Sequence, residues 1–185
     1  MIQNAAPEGG VRPLTAKEVV SALRAHHPSP EWAVFTELRA GTGYGKRSEQ
    51  RIDLWAIDCY PSKQCRRLAY EVKVSRQDFL NELKDPLKRR GALLLSNEFW
   101  FVGPEGFAKP EEIPIECGLL VIRRKVSDER GSWSQGWRPI RKSKYECKSV
   151  IDAPVRESIL PTWRFVASLA RRIAREEKAN AEVVA

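Results

Sequence analysis

With 185 residues, 42% of them hydrophobic, the chain is long enough for one domain with a substantial core. Its formal net charge of +8 and sequence pI of about 9.5 favour a polyanionic partner, nucleic acid ahead of an anionic membrane surface. No apolar run approaches the ~18 residues of a membrane span, and Cys59, Cys65, Cys117 and Cys147 form no CxxC pair, which argues against structural zinc and for reduced thiols in a cytoplasm.

Residues 1–12 lack the basic-then-apolar order of a signal peptide and are expected to form a disordered tail. Thr15-Ala16-Lys17-Glu18 has the capping-box pattern, and Val19, Val20 and Leu23 follow at helical spacing, so a helix is predicted to about His27, ended by Pro28-Ser29-Pro30. Glu31 to Arg39 reads equally as strand or as continued helix. Gly41, Gly43 and Gly45 mark a flexible loop; no Lys-Ser/Thr helix follows to make it a phosphate loop. Arg51 to Ile57 and Leu68 to Val74 read as two strands joined by turn chemistry at Pro61-Ser62-Lys63-Gln64. Ser75-Arg76-Gln77-Asp78 opens a second helix through Phe79, Leu80, Leu83 and Leu87 to about Arg90, with Pro86 as kink or break and Gly91 as stop. Glu98 to Val102 is an apolar strand closed by Gly103-Pro104-Glu105-Gly106, and Gly118 to Ile122 is a strand buried on both faces.

Residues 126–152 form a basic arm or a β-hairpin carrying Trp133, Trp137 and Tyr145. Residues 153–178 are expected to hold a helix packed on the same domain through Ile159, Trp163, Val166, Ala170 and Ile173, with residues 179–185 frayed. The order helix, strand, hairpin, helix, strand, strand gives an α/β fold, a mixed β-sheet flanked by helices.

The chemistry concentrates on the hairpin. Glu71 and Lys73 are two apart on a strand and leave one face, and antiparallel pairing brings Asp53 close to them. Two carboxylates and a lysine suit a hard cation and an activated water, the equipment for phosphodiester hydrolysis. The plainer alternative is a solvated strand face bearing an ion pair worth under about 1 kcal/mol.

Asp53, seventeen residues, then Glu71-Val72-Lys73 resembles the active-site motif of the PD-(D/E)XK nuclease superfamily, with Ile52 at the place of the proline. The continuation Val74-Ser75-Arg76-Gln77-Asp78-Phe79, then Phe99-Trp100-Phe101 with Gly103-Pro104 and Gly118-Leu119-Leu120, is similar to the MmcB-like DNA-repair family within it. The resemblance covers roughly Glu37 to Ile122. It implies a restriction-endonuclease-like core of αβββαβ order over residues 13–125. It also implies Mg²⁺ or Mn²⁺ on Asp53, Glu71 and the Val72 carbonyl, with Lys73 orienting water or stabilising transition-state charge and Glu37 as a further acidic residue. Asp78 either caps its helix or joins the site, and the Asp85-Pro86 that follows Lys84 departs from the family pattern.

From Lys63 to Arg90 nine basic residues face four acidic ones, and from Arg123 to Lys148 nine face three, which suggests a polyanion groove flanking the carboxylates. Phosphate contacts are assigned to Arg47, Arg51, Arg76, Lys84, Lys88, Arg89 and Arg90. Trp133 and Trp137 either stack on bases or pack a loop. The expected function is a Mg²⁺-dependent endonuclease acting on duplex or branched DNA in repair, recombination or a mobile-element setting. The alternatives are a DNA-binding module on the same fold that does not cut, and an RNA-processing nuclease. A homodimer would let two sites cut both strands, though no self-complementary surface is legible.

Overall fold

The computed structural model describes residues 12–39, 51–125 and 144–184. Helix α1 (Ala16–His26) begins with the capping box in place: Thr15 Oγ1 accepts from the Glu18 amide at 3.3 Å, and Glu18 Oε2 accepts from the Thr15 amide at 3.0 Å. Trp32–Arg39 is a strand, β1, because its neighbour β2 (Arg51–Asp58) supplies an antiparallel ladder from Trp32↔Asp58 to Arg39↔Arg51. Strand β3 (Arg67–Val72) returns antiparallel to β2.

The helix predicted from Ser75 to Arg90 is broken. Helix α2 spans Arg76–Leu83, a 3-10 turn follows at Pro86–Arg89, and α3 runs Arg90–Leu95. Pro86 lacks the amide that a continuing helix requires. Gly91 lies inside α3 rather than ending it; the stop is Ser96, whose backbone is extended and whose Oγ donates back to the Ala92 carbonyl at 2.7 Å. Strands β4 (Glu98–Pro104), β5 (Gly118–Arg124) and β6 (Tyr145–Ile151) complete a six-stranded sheet whose spatial order is the chain order. The β3–β4 and β4–β5 pairs are parallel and the β5–β6 pair is antiparallel. Both sheet faces are covered, so the fold is α/β with a mixed sheet flanked by helices. The expected run of apolar positions at Leu119 to Ile122 is buried on both sides.

One face packs Phe35, Trp55, Phe79, Phe99, Phe101 and Leu119 beneath α2 and α3; the other packs Leu54, Tyr70, Val102, Leu120 and Ile122 beneath α1. Aromatic edges lock the first layer: Phe79 meets Phe101 at 5.2 Å and 90°, and Phe99 meets Phe101 at 5.4 Å and 79°.

The last helix differs from expectation. Residues 152–162 are irregular, and α4 spans Trp163–Val184, through the region expected to fray. Its inward residues are Phe165 and Leu169 rather than the predicted face, and Trp163 is 87% exposed. The Phe165 ring fills the space against Trp55 at 5.2 Å and 78°, and that long-range fit fixes the rotation of the helix. Of the predicted basic arm, the end forms β6. Trp133, Trp137, the Gly41–Gly45 loop and the N-terminal eleven residues lie outside the described residues. Among the described residues no helix is long and apolar enough to cross a membrane.

Candidate metal and nucleic-acid site

The β2–β3 ladder runs from Ile57↔Arg67 to Leu54↔Tyr70, and its continuation sets Asp53 opposite Glu71. There Asp53 Oδ2 accepts the Val72 amide at 2.9 Å, so the aspartate is aimed across the gap by backbone. Beyond Glu71 the chain follows β4: the Lys73 amide donates to the Val102 carbonyl at 2.9 Å. Gly103 permits this path, since a Cβ there would stand 2.0 Å from the Lys73 carbonyl oxygen.

The Lys73 ammonium reaches Glu71 Oε1 at 2.6 Å and Glu82 Oε2 at 3.2 Å, with side-chain exposures of only 14%, 18% and 11% for Lys73, Glu71 and Glu82. Sequence reasoning missed Glu82. Its position follows from Phe79, which is fully buried against Phe101 and Phe107 and lies three residues earlier on α2, so the two share a helix face. The Ser75 hydroxyl, accepting from the Asp78 amide at 3.1 Å, sets the start of that helix; Asp78 itself is exposed.

Two carboxylates therefore grip one ammonium, and Asp53, opposite Glu71, adds a third negative charge within electrostatic reach. Burial, then the charge of Asp53, pushes the Glu71 carboxyl up to about 7. Asp53 is raised too, chiefly by burial, against the opposing Val72 amide and Lys73. Burial pulls Lys73 down, but Glu71 and Glu82 outweigh it and the ammonium is held above its ordinary value. A half-buried site with surplus negative charge favours a bound cation.

Glu37 falls opposite Asp53 in register, between the Thr36↔Leu54 and Leu38↔Ile52 pairs, but takes a left-handed φ of 54°. Its side chain is turned to Arg51 in an ion pair and is 52% exposed, so it acts on Asp53 through charge, raising it, rather than by contact. Among the described residues no three His, Cys, Asp or Glu side chains form a ready cage for a metal. The donor chemistry nonetheless suits Mg²⁺, which is held by one or two carboxylates and keeps several waters. Asp53 and Glu71 would be the residues to supply such oxygens, and burial with the charge of neighbouring carboxylates raises both. For Val72 the amide is fixed; its carbonyl remains an expectation of the resemblance.

The basic residues sort unevenly. Lys84, Lys88 and Arg90 are exposed, with the Lys84 ammonium on Asn81 Oδ1 at 2.9 Å. Arg76 is gripped by both oxygens of Glu112, and Arg51 by Glu37. Arg89 is a correction: it is 6% exposed and bonded to Glu116 at 3.2 Å, because the turn at Pro86 rotates it inward, so no phosphate reaches it. Arg47 lies outside the described residues.

His27 does end α1, but it is also buried, its Nε2 2.7 Å from the Tyr70 hydroxyl, with burial lowering its pKa to about 4. Beside it the carboxylate of Glu98, 1% exposed, pairs with Arg66 and accepts from Trp100 Nε1 at 3.0 Å. No protein-family model matches the chain, and comparison with curated proteins and with solved structures finds no match either.

Proposed function

We propose that this protein is a Mg²⁺-dependent nuclease acting on DNA, built on a restriction-endonuclease-like core. What carries the proposal is the charge balance where β2 and β3 end: Glu71 and Glu82 on the single ammonium of Lys73, with Asp53 opposite Glu71 and aimed by the Val72 amide. The antiparallel β1–β2–β3 unit followed by parallel β4 and β5 also supports the αβββαβ order that the resemblance implies.

In this proposal Asp53 and Glu71, with the Val72 carbonyl, hold the metal. When bound, Mg²⁺ supplies Lewis-acid polarisation of the phosphate and a lowered pKa for water. Lys73 orients the attacking water and offsets charge growing on the phosphate oxygens. Glu82 positions Lys73, sharing its ammonium with Glu71 and keeping it protonated. Glu37 tunes Asp53 from the adjacent strand. Lys84, Lys88 and Arg90 supply phosphate contacts that set position without reading sequence.

Supercoiled, linear and branched DNA incubated with the protein and Mg²⁺, Mn²⁺ or EDTA tests this, beside Asp53→Ala and Lys73→Ala. Metal-dependent nicking that both substitutions abolish is the expected result. Salt-sensitive DNA binding with no cutting in any metal would replace the nuclease by a binding module, and cleavage of RNA alone would replace the substrate.

A further inference from the structure

We infer that helix α4 is a phosphate-tracking rail that holds a nucleic-acid duplex along the β1 edge of the sheet, beside the carboxylate site. The phosphate contacts expected from sequence run from the Gly-rich loop through Arg76 to Arg90 and the basic arm, and none falls on this helix. At 3.6 residues per turn, Arg164, Arg171 and Arg175 fall within about 40° of one another, and Lys178 continues the row. No acidic residue interrupts it. The three arginines are exposed, and among the described residues no carboxylate pairs with them.

The contacts of α4 fix where the row looks. Phe165 and Leu169, roughly 100° and 140° round the helix from the row, enter the core. Between core and row lie Arg172, donating to Thr36 Oγ1 at 3.2 Å, and Ser168, donating to the Arg39 carbonyl at 3.0 Å. Passing round the helix from core to β1, the next positions are the arginines, so they face outward beyond the β1 edge. Thr36 and Arg39 flank Glu37, which stands opposite Asp53, and Asp53 stands opposite Glu71. Two strand spacings, about 10 Å, separate β1 from β3.

Arg164 to Arg175 spans about 16 Å of helix, enough to follow several successive phosphates of one strand. Three exposed guanidiniums in line match a linear array of phosphates better than a single anion. A membrane surface is disfavoured by the same geometry. The exposed apolar residues Val166 and Ile173 lie roughly opposite the row, so a bilayer meeting them would leave the arginines pointing away from its headgroups.

The inference deepens the nuclease proposal, and its test is arranged to fail separately. Binding of a labelled duplex DNA is measured by anisotropy in EDTA, so that no cutting is needed, across a salt series. The proteins compared are the wild type, the triple variant Arg164→Gln, Arg171→Gln, Arg175→Gln, and the same three positions changed to Lys. Three lost phosphate contacts flatten the slope of log affinity against log salt by about 2.7. The affinity ratio of wild type to the Gln variant then shrinks about 40-fold between about 50 and 200 mM salt. The Lys variant keeps the wild-type slope. An unchanged slope in a folded Gln variant overturns the rail, as does a Gln variant that loses only binding to anionic vesicles. Absence of cutting with the slope change intact sinks the metal site and leaves the rail standing.

Discussion

Replacing Glu71 with Gln removes the one carboxyl whose ionisation the fold opposes most clearly. The carboxyl is raised from 4.5 to about 7 by burial and by Asp53, so the native state holds its proton more tightly than the unfolded chain does. A group raised in this way contributes its full stability below pH 4.5, and the contribution drains away as pH rises through 7. A rise of that size corresponds to roughly 3 kcal/mol, and partial exposure with coupling to Asp53 and Lys73 brings the expected effect to about 2 kcal/mol. Gln carries no such dependence. Urea denaturation of both proteins in EDTA at about pH 4 and pH 8 therefore shows the Gln variant gaining on the wild type by about 2 kcal/mol at the higher pH. Taking the difference between two pH values cancels the constant cost of the altered hydrogen bond to Lys73. If the stability gap stays within about 0.5 kcal/mol across that range, Glu71 is not strained at neutral pH and the electrostatic case for a cation fails. Where the gap opens as expected, Mg²⁺ at about 100 times its dissociation constant should add about 2.7 kcal/mol to the wild type at pH 8 and clearly less to the variant.

Other expectations follow from the same packing. Half-saturation by Mg²⁺ in the cutting assay should fall about tenfold per pH unit as pH climbs towards 7 and level off above it, because the raised Glu71 must shed its proton to act as a ligand. Gly103→Ala should cut activity by more than tenfold while circular dichroism stays native, since its methyl would displace the Lys73 carbonyl; unchanged turnover would show that the Lys73 backbone has slack. Arg66→Ala should destabilise by about 3 to 5 kcal/mol by leaving the buried Glu98 carboxylate uncompensated, and Arg66→Ala with Glu98→Gln should recover much of that in thermal melts. Phe165→Ala should cost about 3 to 5 kcal/mol and detach α4 from Trp55, read as a Trp emission shift.

Local signals in the chain are reproduced faithfully. The Thr15 capping box, the Ser75 cap, the Asp53–Glu71 pairing and the doubly buried Leu119–Ile122 run each depend on a few consecutive residues or one hairpin. What escaped depends on distant surfaces. Glu82 joins the site because Phe79 sinks into an aromatic cluster built by β4, and nothing in the periodicity of α2 names that cluster. Arg89 reads as one more basic residue until the Pro86 turn rotates it onto Glu116. The face of α4 was misassigned because Val166 and Ile173 are apolar yet outward, and only the shape of the hollow over Trp55 selects Phe165. His27 caps a helix by sequence, and its hydrogen bond to Tyr70 needs β3 laid against α1.

The sheet is laid down in chain order, each strand beside its predecessor, so a nascent chain can pair every strand as it emerges. The helix that roofs Trp55 comes far later: Ser168, which clasps the Arg39 carbonyl, is 129 residues further along. A ribosome-bound intermediate would thus carry a nearly finished sheet with its aromatic layer open along β1 and β2. A segment translated well after the sheet would close strand β1, and folding yield should depend on how soon that helix clears the exit tunnel.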